Sequence, residues 1–406
     1  MRFLTPIFKH RFYLLLNFWW AIPCVFLMRA LKPIVFIRLG RIWSNRIGEF
    51  IAETSNLLAN RKTQNFKSYD FIFFSDISNR HWATMVKRSH NVVRPWVKYI
   101  WYWNRFIPGG DCHSVVNDLT NHDREGLLVK VDARIPFTPE ETQEARNWLK
   151  RKGWNEGEPF ICLLVRDSKY EFQFNVTSDN GSLLNAQREE ISHSYRDSDI
   201  VTYLPAMKWL AKQGVWVLRM GRVMSTPVLT SEAKIIDYAF DEAKSDLLDI
   251  WLFANCTACI STGSGPDTLA WTYRRPQLVL NYLPLGKVFS FSNSLTVPKS
   301  LKWSNSGKNL TLIEHLNVWD KNSIGLEESG IAYADLTPQE ISFAVEEFWN
   351  RLQGTWESIK SDIALQERFW TSFQKWSGYS RFHGWRHPES RVGARWLASQ
   401  DPDFLN

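Results

Sequence analysis

The chain reads as an α/β protein with doubly wound parallel sheets, on two observations. Short apolar runs such as "EPFICLLVRDS", "VWVLRMG" and "QLVLNY" alternate with helical patterns, and each connection is long enough to cross back over a sheet. At 406 residues the chain also exceeds the usual size of a single core, so two domains are the default.

The elements follow in order. Residues 1–31 hold "RFYLLLNFWWAIPCVFLMR", apolar from Phe12 to Met28, interrupted by Asn17 and Pro23 and flanked by Lys9, Arg11 and Arg29. That stretch is marginal for a span, and no small-residue cleavage site follows it. Trp19 and Trp20 beside basic flanks suit a headgroup interface, so a membrane-associated segment is expected, ahead of a single span and of a buried first helix. Residues 32–153 form the first expected domain. "PIVFIRLG" is a buried strand, "RIGEFIAETSNLLANR" a helix with Ile47, Phe50, Ile51, Thr54, Leu57 and Leu58 on one face, and "YDFIFFSD" a second strand. The signal weakens between 90 and 135, where "VKYIWYWNRFI" and "GLLVKVDA" read as possible strands and "PGGDCHSVVNDLTNHD" as a loop. "FTPEETQEARNWLKRKG" is a helix with Thr138 as N-cap, Pro139 at N1, Glu141 completing a capping box and Gly153 after its end.

Residues 154–330 repeat the rhythm: the strand "EPFICLLVRDS", the helix "YLPAMKWLAKQG", the strand "VWVLRMG", "KIIDY", the helix "SDLLDIWLFANC", then "ISTGSGPDTLAWTYRRPQLVLNY". Residues 331–406 open with a second capping pattern, Thr337, Pro338 and Glu340, and run on as a Trp-rich helical segment expected to brace the two domains.

Composition narrows the function. With 44% hydrophobic and 22% charged residues the chain is not largely disordered. Its 21 Trp and 26 Phe imply large buried rings, a sugar-stacking cleft or a membrane interface. A net charge of +7 favours an anionic partner. Nucleic acid fares worst among these, because no RNA-binding signature, zinc spacing or helix-turn-helix pattern appears. Five scattered cysteines give no disulfide framework and fit a reducing compartment, and Cys256-x-x-Cys259 reads as two buried small residues.

Ligands of parallel sheets bind beyond the carboxyl ends of the strands. The residues there are Arg166 and Asp167, then Arg219, Gly221 and Arg222, then Asp237 and Tyr238, then Ser261, Thr262, Gly263, Ser264, Gly265 and Asp267, and Asn281. Glycines flanking Ser264 let main-chain amides converge, and a helix start beyond Pro266 adds a favourable dipole, so the turn suits a phosphate. The alternative is a plain strand-to-helix turn. The run is neither a Walker motif nor G-x-G-x-x-G. Arginines on the same rim add bidentate donors of fixed charge. Asp197-x-Asp199 resembles a metal-binding DxD, but Asp199 or Ser198 also fits as the N-cap of the next helix, and capping is the preferred reading.

"LLVRDS…YRDSDIVTYLPAMKWLAKQGVWVLRMG…IDYAF…SDLLDIWLFANCTACISTGSGPDTLAWTYRRP", with "RIGEF" and "RVGARWLASQDPDFLN", resembles a family of bacterial glycosyltransferases associated with surface polysaccharide, capsule and O-antigen loci. More distantly, Val165-Arg166-Asp167 and "STGSG" are similar to the strand-end arginine motif and Ser/Gly loop of GDP-fucose-dependent fucosyltransferases, although Leu164 replaces a polar residue there. The resemblance implies a GT-B architecture with the nucleotide-sugar donor on the C-terminal domain. It also implies a glycan or lipid-linked saccharide acceptor, and from Trp19, Trp20 and their basic flanks a cytoplasmic enzyme peripheral to the inner face of the cell membrane is expected.

The chemistry agrees. Breaking a sugar–phosphate bond builds charge on the departing diphosphate, and Arg166, the Gly263 to Gly265 amides and Arg219 would stabilise it with no metal or other cofactor. The acceptor's proton needs a base, for which Glu49, Asp76, His81, Asp111 and His113 are candidates, with Arg46 and Gly48 beside them on the acceptor side. A non-catalytic saccharide- or membrane-surface-binding protein of the same fold is the alternative.

Overall fold

The structure, a computed structural model, describes residues 14–64, 68–90, 92–115, 122–169, 173 and 190–406. The chain divides into two compact units, Met1–Asn121 with Lys130–Phe137, and His122–Val129 with Thr138–Asn406.

The first unit holds a three-stranded parallel sheet, β1 (Phe36–Ile42), β2 (Ser68–Phe74) and β3 (Val92–Val93), in that order. Helix Ile47–Thr63 makes the crossover from β1 to β2 and buries Phe50, Ile51, Thr54 and Leu57, four of the six residues expected on its apolar face. "VKYIWYWNRFI" is not a strand but helix Val97–Phe106, because Val97, Ile100 and Asn104 recur at helical spacing and are the residues it buries. "GLLVKVDA" likewise gives only the short helix Leu127–Lys130. Of the loop before it, residues 116–121 lie outside the described residues.

Helix Phe18–Ala30 continues through Pro23. It buries Ala21, Val25 and Met28 against Leu39, Phe73, Val97 and Ile100, so this face is a core face. The opposite face is open, with Trp19 70% and Leu27 60% exposed. Arg29, expected as a headgroup flank, instead donates to the Pro108 carbonyl at 2.6 Å and the Ile107 carbonyl at 2.8 Å. Lys9, Arg11 and Phe12 lie outside the described residues. Among the described residues no helix is long and apolar enough to cross a membrane.

The second unit is built on a seven-stranded sheet. Its strands are β4 (Phe160–Leu164), β5 (Trp216–Arg219), β6 (Ile235–Ile236), β7 (Ala258–Ser261), β8 (Gln277–Tyr282), β9 (Ser294–Pro298) and β12 (Arg391–Val392), in the order β12-β9-β8-β7-β4-β5-β6. Every pairing is parallel, and β4, β5, β7 and β8 are buried along their whole length, which explains their apolar centres, with the polar residues at or next to the strand ends. A small antiparallel pair, β10 (Ser300–Trp303) and β11 (Ile331–Ala334), stands apart from it.

The domain limits need two corrections. Helix Pro139–Arg151 has the expected capping box, but it belongs to the second unit, so the chain passes between the units at 121/122, 129/130 and 137/138 and not at 153/154. Trp148 holds it there, packed edge-on against Tyr238 at 5.3 Å. Residues 331–406 do not stand as a separate segment: Phe369, Phe373, Trp376 and Phe382 share one core with Leu278, Leu280 and Val297 of the sheet.

Candidate functional site

The chain lays down β4, β5 and β6 outward in one direction, then returns to place β7 on the other side of β4. That reversal makes the carboxyl ends of β4 and β7 the topological switch point, where the two following connections diverge and leave room for a ligand. Leu164 pairs with Ser261, the Thr262 amide donates to the Leu164 carbonyl at 3.2 Å, and the Arg166 amide donates to Thr262 Oγ1 at 3.0 Å. Arg166 and the "STGSG" turn are therefore neighbours, as their strand-end positions suggested.

The turn is organised from within. Asp267, 3% exposed, accepts the Ser261 hydroxyl at 2.6 Å and the Ser264 amide at 2.9 Å, while Ser261 Oγ accepts the Gly263 amide at 3.0 Å. Burial pushes the Asp267 carboxyl up to about 6, against the opposing pull of those donors and of Arg196. The expectation of outward-facing amides at Gly263 and Ser264 is thus corrected: the Ser264 amide turns inward to the buried Asp267 carboxylate and the Gly263 amide to Ser261 Oγ. The helix beyond, Thr268–Thr272, is also too short to contribute a large dipole. Gly263 is required at φ +76°, where a Cβ would stand 2.4 Å from the Tyr282 ring. Gly265 opens the 3₁₀ turn Gly265–Asp267.

The other rim residues divide. Arg166 is 8% exposed, donates to the His193 carbonyl at 3.1 Å and pairs with Asp197. Asp167 ties down the next loop through Ser225, accepting its amide and hydroxyl at 2.9 Å each. Arg219 does not face an open rim. It is 1% exposed and locked to Asp237 at 3.1 Å and the Thr226 carbonyl at 3.0 Å. Tyr238 also points inward, its hydroxyl donating to Asp249 at 2.7 Å. Gly221 has φ +151°, and a Cβ there would stand 2.2 Å from Met224. Arg222 is exposed, 3.7 Å from the Asp246 carboxylate. Asn281 braces the core, donating to the Tyr203 hydroxyl at 3.0 Å and accepting the Leu336 amide at 2.7 Å.

Asp199 caps the 3₁₀ turn Ile200–Tyr203 by accepting the Val201 amide at 2.9 Å, which identifies it and not Ser198 as the cap. Among the described residues no group of three His, Cys, Asp or Glu side chains is placed to hold a metal ion.

Sequence reasoning passed over Arg196 and Lys287. Arg196 Nη2 donates to the Gly263 carbonyl at 2.7 Å, directly on the turn. Lys287 follows β8, and its carbonyl accepts the Tyr282 hydroxyl at 2.8 Å. Arg196 could have been read from the basic residue in "YRDSD"; Lys287, in an irregular stretch, gave no signal.

In the first unit, Arg46 precedes helix Ile47–Thr63 as its N-cap, and Gly48 and Glu49 lie in its first turn. Asp76 follows β2, exposed, and His81 opens helix Arg80–Ser89. Asp111 is exposed on a 3₁₀ turn, while His113 is buried with Nδ1 2.6 Å from the Ile37 carbonyl. One turn beyond Glu49 stands Glu53, which sequence reasoning missed because it falls on the helix's buried face. It accepts the Trp43 amide at 2.9 Å, and burial, helped by Glu49, pushes its carboxyl up to about 7.

No protein-family model matches the chain, and neither does any curated protein. Among solved structures, a glycosyl transferase family 9 from Veillonella parvula DSM 2008 is 10% identical, over 65% of this chain and 86% of that one, with a TM-score of 0.40. The E. coli ADP-heptose lps heptosyltransferase II is 12% identical, over 64% and 85%, with a TM-score of 0.37. At those scores neither likeness carries an assignment.

Proposed function

We propose that this chain is a glycosyltransferase of GT-B type that moves a sugar from a nucleotide-sugar donor to a glycan or lipid-linked acceptor in bacterial surface polysaccharide synthesis. The observation that carries the reading is the switch point. Arg166 and Thr262 lie side by side at the ends of β4 and β7, where a parallel sheet admits a ligand. The sequence resemblance around the same residues points the same way.

In this reading the enzyme needs no metal, because fixed cations meet the charge that develops on the leaving diphosphate. Arg166 shapes the pocket through its pair with Asp197, and Glu49 takes the acceptor proton. Peripheral attachment to the inner face of the membrane rests on the open side of helix Phe18–Ala30, where Phe18, Trp19, Phe26 and Leu27 are all more than half exposed.

The test is incubation with a panel of nucleotide sugars and extracted glycolipid, read by mass spectrometry, with and without EDTA. A donor-dependent mass increase that survives EDTA and is lost in Glu49→Gln supports the reading. If no nucleotide or nucleotide sugar shifts the melting temperature while oligosaccharide does, the chain is instead a saccharide-binding protein of the same fold.

A further inference from the structure

Three cations gather beside the turn, and among the described residues none of them is salt-bridged to a carboxylate. Lys287 lies with its Nζ 5.2 Å from the Trp319 ring and 5.4 Å from Phe382, and the Arg381 guanidinium lies 4.7 and 5.5 Å from the same two rings. Arg196 completes the group from the turn itself, on the Gly263 carbonyl at 2.7 Å. Tyr282 links the two sides: its ring lies under Gly263 and its hydroxyl donates to the Lys287 carbonyl at 2.8 Å. Among the described residues none of the three cations is in an ion pair. The nearest acidic influences are Asp320, which is exposed, on Lys287, and Asp267, buried within the turn, on Arg196.

Aromatic faces accommodate a cation without cancelling its charge. The cost of the arrangement shows at Lys287, whose ammonium is held below its ordinary range by burial and by the charges of Arg196 and Arg381. Like charges held together on a half-buried surface are a standing repulsion, and an anion that enters removes it. Because the Gly263 and Ser264 amides are already taken, the turn itself has little left to offer a phosphate.

We propose that Arg196, Lys287 and Arg381 form the diphosphate-binding element of this chain, with the turn serving as its scaffold. This rests on the reading of a nucleotide-sugar donor. Arginines on two sides supply forked donors to phosphate oxygens, and the lysine supplies a point charge between them.

The experiment is calorimetric titration of the full chain with inorganic pyrophosphate, then with UDP, GDP and ADP, and with vesicles carrying a polyprenyl diphosphate, beside the variants Arg196→Gln, Lys287→Met and Arg381→Gln. The control is Lys308→Ala, a cation paired with Asp403 at 2.9 Å. Pyrophosphate affinity should fall about tenfold for each cation removed, and the control should match wild type. The unliganded melting temperature of Lys287→Met and Arg381→Gln should hold or rise, because removing one of three like charges relieves repulsion, whereas a purely structural role would lower it. Should Lys287→Met fail to fold, Arg381→Gln on the exposed side reads the same effect. Equal pyrophosphate binding by all variants, or none by wild type, overturns the proposal. Pyrophosphate binding that depends on the three cations in a protein that consumes no nucleotide sugar would leave this site standing and remove the transferase reading. Sugar transfer unaffected by all three substitutions would do the opposite. A response to polyprenyl diphosphate but to no nucleoside diphosphate would overturn the donor assignment.

Discussion

Glu53 in the first unit and Asp267 in the second do the same structural work with different neighbours. Each is a buried carboxyl that gathers the loop leaving the end of a parallel strand, Glu53 through the Trp43 amide after β1 and Asp267 through Ser261 and Ser264 after β7. Burial raises both. Asp267, with the Ser261 hydroxyl and Ser264 amide donating to it and Arg196 nearby, settles at about 6, whereas Glu53, with the Trp43 amide and the opposed charges of Glu49 and Arg41, settles at about 7. At neutral pH the first is therefore mostly ionised and the second about half protonated. Burial is the main cause in both, and the number of donors on the carboxyl, two at Asp267 against the one Trp43 amide at Glu53, offsets it to different degrees.

The strongest way to break the turn side of this comparison is Gly263→Val. The branched side chain meets the Tyr282 ring and cannot relax at φ +76°, so a loss of about 4 kcal/mol or outright misfolding is expected in a denaturant titration. That size also means lost turnover in this variant would report folding and not phosphate approach. Asp267→Ala comes next. It leaves the Ser261 hydroxyl and the Ser264 amide without their acceptor inside the protein, a loss of about 3 kcal/mol, and Asp267→Asn should recover part of it. If Asp267→Ala melts like wild type, the carboxylate does not organise the turn.

Much of this frame was legible beforehand. The strands β4, β5, β7 and β8 announced themselves because full burial leaves no polar alternation, and the Thr138 and Thr337 capping boxes fixed two helix starts to the residue. β9 was invisible because "SLTVP" alternates polar and apolar residues although the whole strand is buried, with Ser294 donating to the Phe289 carbonyl at 2.6 Å. Helix Val97–Phe106 was obscured by aromatic residues that favour strands in isolation. At the site, sequence placed Arg166 and Thr262 correctly at strand ends, but it could not show that Arg219 would be buried on Asp237. That depends on how the connection from β5 to β6 folds back to bring Asp237 and the Thr226 carbonyl onto Arg219, which no local pattern marks.

The titrating side of the comparison is sharpened by Glu53→Gln. The native carboxyl binds its proton up to about pH 7, while the unfolded chain releases it near the ordinary value of 4.5, so the folded state holds the extra proton between those limits. Stability therefore falls as pH rises through that window and levels off above it. Glu53→Gln should flatten this slope and gain on the order of 2 kcal/mol at pH 8, measured as the denaturation midpoint from pH 4.5 to 8. An unchanged slope in the variant would show that Glu53 titrates as an ordinary carboxyl.

The smallest effect is expected at Asp199, an exposed carboxylate that extends the comparison to the surface. It caps a single 3₁₀ turn through the Val201 amide, and solvent already compensates its charge, so Asp199→Ala should cost about 1 kcal/mol and Asp199→Asn almost nothing. Its neighbour Asp197 is engaged otherwise, paired with Arg166 and with its carbonyl accepting Lys299 Nζ at 2.6 Å. Asp197→Asn should therefore weaken the hold on Arg166 and depress nucleotide binding more than Asp199→Asn does, although only Ser198 separates the two residues. Melting curves with and without Mn²⁺ check the distinction. Stabilisation of wild type by the ion that disappears in both Asp197→Asn and Asp199→Asn would mean that the two carboxylates share a cation, and the separate roles of cap and arginine partner would have to be given up.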